Sequence, residues 1–177
     1  MGFCVHIREK SMYSPDLLGS FERISSERYS LLLKLAQGGL FPQSDLEGIV
    51  EAVTIQRYQL ALNFQQSAQA ITLNSEIDAR NVISRNYYAM YQAARTVIFH
   101  VHREDPESHD AVAKKIGPIL GTAFQDVLND WRDYRNDADY SPFPKINLFD
   151  MATQSHKVAS GFINECKNLL QKRGVPL

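Results

Sequence analysis

The chain is short of most features that announce a function. Its two cysteines, Cys4 and Cys166, cannot build a disulfide framework, and their separation fits no metal-ligand spacing. The net charge is −1, from 19 basic and 20 acidic residues. That balance excludes the broad basic surface of a protein that coats nucleic acid. It leaves room for a small basic cleft, which a dimer would double. No stretch reaches transmembrane length without a charge or amide breaking it. Met1 to Lys10 lacks the apolar run of a signal peptide, and His6 stands where a myristoylation signal at Gly2 would need Ser or Thr. There is no Gly-rich phosphate loop, no nucleophile elbow and no repeat. Gly38-Gly39 reads as a helix stop. The expectation is a cytoplasmic protein with no membrane span and no cofactor.

What is present is helix. Apolar residues make up 44% and charged residues 22% of the 177, enough for one domain with a real core. Apolar positions recur with the helical period and nowhere alternate as in a strand, so the fold class is all-α. Ser14-Pro15-Asp16 starts a helix running to Gln37. Ser44 caps a second from Asp45 to Leu73, along which Leu46, Ile49, Val50, Val53, Leu60, Phe64, Ala68 and Ile71 recur. Asn74-Ser75 breaks the chain before a central helix over 77–102. Ser108 caps a short helix ending at Leu120. A motif helix runs from Thr122 to Asp139, and a last one from Asn147 to Lys172 buries Leu148, Met151, Val158, Phe162, Cys166 and Leu169. Residues 1–44 form an N-terminal extension with one helix, and 45–177 form the main helical domain. Residues 1–13 are expected to be poorly ordered.

The motif helix carries the sharpest signal. At about 100° per residue, Arg135 falls in the middle of an apolar stripe of Phe124, Val127, Leu128, Trp131 and Ala138. A guanidinium there must be paired or must line a cleft. Asp139 or Asp137 is the expected partner. Tyr140 then leads into Ser141-Pro142-Phe143-Pro144, which cannot continue a helix.

The central helix has two working faces. Ile83, Tyr87, Met90, Tyr91, Ala94, Val97, Ile98 and Val101 form the core side. Arg85, Tyr88, Gln92 and Arg95, three or four apart, line another side and suggest a second contact surface or a cleft. Arg85 or Arg95 is expected in the same polar network as Arg135. Of the five histidines, His100 and His102 face different ways, His6 lies in the N-terminal tail and His156 on the last helix. None has metal-like spacing, so no metal is expected. His109 starts the short helix, where a local role competes with a place in the cleft.

Residues 84–95, Ser84-Arg85-Asn86-Tyr87-Tyr88-Ala89-Met90-Tyr91-Gln92-Ala93-Ala94-Arg95, then Ser108-His109, then Arg135-Asn136-Asp137-Ala138-Asp139-Tyr140, carry a resemblance. In order, spacing and helical context the chain resembles the HEPN-domain family, in the branch ending in Arg-x-x-Ala-Asp-Tyr. The likeness spans roughly 50–170, with 1–44 as an addition to a HEPN-like antiparallel bundle. It implies a bacterial toxin–antitoxin or defence module. It also implies a homodimer and a metal-independent endoribonuclease cleft between two copies. Arg135 would then contact the scissile phosphate, Asn136 would orient the 2′-hydroxyl or phosphate, and Tyr140 or His109 would complete the site. Arg85, Tyr88, Arg95 and Asp139 would line the cleft or its polar network. Family members carry His a few residues beyond the motif Arg, and here that place is taken by Tyr140. Tyr titrates near 10, a poorer proton shuttle at neutral pH than His. Two other readings stand beside the ribonuclease. One is a non-catalytic interaction module that binds a nucleotidyltransferase antitoxin or a larger effector. The other is a nucleotide-binding domain with Arg85, Arg95 and Arg135 on the phosphates.

Overall fold

A computed structural model describes residues 13–106 and 108–177. The expectations for Gly2, Cys4, His6 and the order of residues 1–12 lie outside the described residues. Among those described there are seven helices and no strand, so the fold is all-α. They are α1 (Pro15–Glu22), α2 (Ser26–Gln37), α3 (Gln43–Gln69), α4 (Glu76–His102), α5 (His109–Leu120), α6 (Thr122–Tyr140) and α7 (Leu148–Lys172). None is long and apolar enough to cross a membrane.

Side-chain caps set most of the helix starts. Ser14, Ser25, Ser75, Ser108 and Asn147 each accept a backbone N–H from the first turn that would otherwise go unsatisfied. Two expectations fail here. The single helix expected over 15–37 is split, because Ser25 caps a new helix and Ile24 turns inward to join Leu18 and Phe21. Ser44 is not a cap: α3 begins at Gln43, two residues before the expected Asp45, behind Pro42 and with no side-chain cap bond. The end of α3 also comes early, at Gln69. Ile71 and Leu73 still pack on the core from the connecting loop.

α3 and α4 lie antiparallel, since Thr54 meets His100, Arg57 meets Phe99 and Phe64 meets Tyr88. α7 packs on another side of α4, and α5 and α6 form a hairpin against it. The central helix is therefore enclosed on nearly every side. Val82, Ala89, Ala93 and Phe99 are as buried as the expected core face. A smaller cluster joins α1 and Ile24 to the first half of α3 and to Phe99, so α1 has its own share of core. Leu60, expected inside, is 40% exposed and lines a cavity of about 560 Å³ beneath α1.

A charged knot ties the two clusters together. Arg57, 5% exposed on α3, donates to Asp105 at 2.9 Å and to the carbonyl of Glu22 at the end of α1. Arg95 grips the same carboxylate with two bonds, of 3.0 and 2.5 Å. Burial alone would raise the Asp105 carboxyl. The hydrogen bonds and charges of the two guanidiniums outweigh it and hold the group below its ordinary range. Asp105→Ala would leave two facing cations, one of them buried. It should cost about 3–5 kcal/mol in urea unfolding, and a loss under about 1 kcal/mol would show the knot to be idle.

His100 shows the opposite behaviour. Burial, with Arg103 and Arg173 nearby, pushes it down to about 4. Its Nδ1 lies 3.3 Å from Thr54 Oγ1. That hydroxyl gives its proton to the Val50 carbonyl, so the ring must donate from Nδ1. Between pH 4 and about 6.5 the unfolded chain binds this proton and the folded chain does not. Stability should therefore rise with pH across that window and be lost as the pH falls through it. His100→Gln should flatten the slope, as read by thermal melts at stepped pH; an unchanged slope would assign it to other groups.

Candidate polar and aromatic site

The end of α6 builds the site. Trp131 and Ala138 on this helix are buried, and Arg135 lies between them with 12% of its side chain exposed. Its guanidinium carbon lies over two rings, Tyr88 at 5.0 Å and Tyr140 at 5.2 Å. Nη1 donates to Asn136 Oδ1 at 3.0 Å, and Nη2 donates to the Tyr88 hydroxyl. Nε is 2.8 Å from Asp139 Oδ2, one helical turn on. That N–H is not aimed at the oxygen. The contact is an ion pair without a hydrogen bond, and Nε is buried with no hydrogen-bond partner. Ser84 donates to the same Asp139 oxygen at 3.1 Å.

Asp139 is thus the partner expected for Arg135, and Asp137 is not. Two residues from Arg135, Asp137 points elsewhere on the helix. It accepts the backbone N–H groups of Lys145 and Ile146 at 2.7 and 3.2 Å and ties the Pro142–Pro144 loop back onto the helix end. From α4, Arg80 donates to the carbonyls of Ala138 and Ser141, orphan acceptors of the last turn.

Tyr88 is the hub. It stacks on Phe64 with centroids 5.7 Å apart and has His109 at 6.3 Å. His109 packs on Tyr91 at 4.3 Å, and its Nδ1 lies 2.6 Å from the Tyr87 hydroxyl. Burial is the main cause that lowers the His109 pKa. Arg135, Arg132 and Arg95 push the same way, against the neighbouring Asp110. The imidazole is neutral at neutral pH. Burial also pushes the Tyr87 phenol well above its usual range, so it keeps its proton.

Arg135, Asn136, Asp139, Tyr140, Tyr88 and His109 therefore meet in one cluster. The other two arginines do not join its ion pairing. Arg95 is committed to Asp105 and touches the cluster only through the Tyr91 ring, at 5.5 Å. Arg85 is exposed and lies 6.0 Å over Phe64, with no carboxylate partner among the described residues. Several members of this region escaped the sequence reading. Arg57 sits on the α3 stripe as Arg135 does on α6, and the same angular test would have found it. Tyr87 and Tyr91 read as plain core, and nothing in the sequence marks Asp105 or Arg80. No group of three or more His, Cys, Asp or Glu among the described residues could hold a metal ion. No family model, curated protein or solved structure matches the chain.

The Arg135–Asp139 pair lies between a surface pair and a buried one, with side chains 12% and 23% exposed. Asp139→Asn should cost about 1–3 kcal/mol, between the values usual for those two limits. Chemical denaturation measures it, and a cost near zero would mean that Tyr88 and Asn136 hold Arg135 unaided.

Proposed function

We propose that the protein is a HEPN-type RNA-targeting protein of a bacterial toxin–antitoxin or defence module. It acts as a metal-independent endoribonuclease at a cleft completed by a second copy. One observation carries the reading. His109 is neutral and sits in the same aromatic cluster as Arg135, Asn136 and Tyr140, so the histidine absent from the motif has a substitute on α5. The reading requires the tautomer whose proton sits on Nδ1, bonded to the Tyr87 oxygen, because only then does Nε2 keep a free lone pair. Nε2 takes the proton of an RNA 2′-hydroxyl, the 2′-oxygen attacks phosphorus, and the 5′-oxygen leaves with a proton from solvent. Arg135 holds the developing charge on the phosphate, and Asn136 and Tyr140 orient it. What supports a second copy is a shallow apolar groove lined by the partly buried Phe124, Val127 and Val158 with buried Phe162 at its floor, partly on the same helix as Arg135. The two motif helices would then lie side by side.

A second reading has its own support. Two donors of Arg135 already bond to Tyr88 and Asn136, and its charge is paired with Asp139, as in a purely architectural network. The protein would then be a non-catalytic module acting through a nucleotidyltransferase or effector partner.

Incubation of the purified protein with total RNA in chelator separates the two. Cleavage should be abolished by Arg135→Ala and lowered about 10²–10⁴-fold by His109→Gln. Tyr140→His should raise it. Because the base has a lowered pKa, kcat/KM should hold as the pH falls through about 6.5 and decline only below it. Intact RNA in every case, with Arg135→Ala changing stability alone, would leave the architectural reading.

A further inference from the structure

Two aromatic rings at the end of α6 are exposed at a cost the fold does not need. Tyr140 is 71% and Phe143 is 87% exposed. They are not displayed on a slack loop. Arg80 holds the carbonyls of Ala138 and Ser141, Asp137 holds the amides of Lys145 and Ile146, and Phe143 N–H donates to Ser141 Oγ at 3.2 Å. Pro142 and Pro144 fix φ on either side of Phe143. A segment anchored at both ends has already lost the freedom that a binding loop would otherwise lose on meeting its ligand.

The charges beside these rings favour one class of occupant. Arg80, Arg135 and Lys145 lie on or against this segment. The carboxylates on the same helix end are Asp137, which accepts two amides, Asp139, paired with Arg135, and the exposed Asp133, which lies beside Arg132. A partner protein's apolar face would have to cover these cations, whereas a phosphate chain neutralises them. Flat rings beside cations suit a nucleic acid strand whose bases are unstacked and free.

The geometry points to Phe143, with Tyr140, as a stacking platform that seats an unpaired RNA base while the adjoining phosphate reaches Arg135. This rests on the RNA reading above and adds to it the strand state and the residue that selects it. A duplex keeps its bases stacked inside and offers Phe143 nothing.

The test is fluorescence anisotropy with labelled oligoadenylate, its riboses 2′-O-methylated so that it cannot be cut, beside the same strand paired to oligouridylate. Phe143→Ala should weaken binding of the single strand about 10-fold. Phe143→Trp should restore it, and neither should change binding of the duplex. With its ring in solvent, Phe143 can be replaced without opening the core, and circular dichroism checks this. Equal single-strand affinity for wild type and Phe143→Ala overturns the platform. If Arg135→Ala still weakens binding in that case, the RNA reading survives it. A wild type that binds neither strand overturns both. Phe143→Ala that dissociates a dimer in light scattering without changing RNA affinity overturns the platform in favour of a protein contact.

Discussion

The structure depends on the enclosure of α4. A helix with neighbours on nearly every side has little wet face on which to leave polar groups, and most must find a partner on whichever element covers them. The polar residues of α4 consequently act as staples. Arg80 takes the carbonyl end of α6, Ser84 reaches Asp139, and Asn86 donates to Ser155 of α7. Tyr87 meets His109 at the start of α5, Tyr88 accepts from Arg135, and Arg95 grips Asp105. His100 meets Thr54 of α3. One helix sets the register of four others through bonds that tolerate little sliding.

The same constraint makes the candidate site. Arg135 can stay on an apolar stripe because Tyr88 and Tyr140 give it aromatic faces and Asp139 gives it charge. His109 is drawn to this place by the Tyr87 hydroxyl and the Tyr91 ring, and burial, helped by the arginines around it, keeps it neutral. A cluster serving only packing would not need a neutral imidazole beside a guanidinium. A cluster serving only chemistry would not spend so many of the Arg135 donors internally. The proposed function and its architectural rival draw on these two facts.

The second charged knot shows how far such a network reaches. Asp105 lies in the loop after α4, yet through Arg57 it is joined to the carbonyl end of α1. α1 is therefore tied to the central helix through the Arg57 guanidinium as well as by Leu18, Phe21 and Ile24. Arg95 belongs to this knot and also touches Tyr91, so the knot and the Arg135 cluster share a wall.

Helical period, caps and breaks were legible from the chain alone, because they are local. Ser75, Ser108 and Asn147 set their helices from within a few residues, and Gly38-Gly39 and the Pro142–Pro144 loop end theirs the same way. The conflict at Arg135 was legible too, since a charge on an apolar stripe needs only helical geometry to be noticed, and Asp139 one turn away was its natural partner. The break at Ser25 was obscured by an apolar pattern that continues through it. Tertiary structure alone decided which side chain each polar group meets across the bundle. Arg95 went to Asp105 and not into the ion pairing of Arg135, and Asp137 went to a backbone loop. His109 came to Tyr87 from 22 positions away. Those pairings depend on how helices far apart in sequence are set against α4. No spacing along the chain encodes that register, because packing all the faces together selects it.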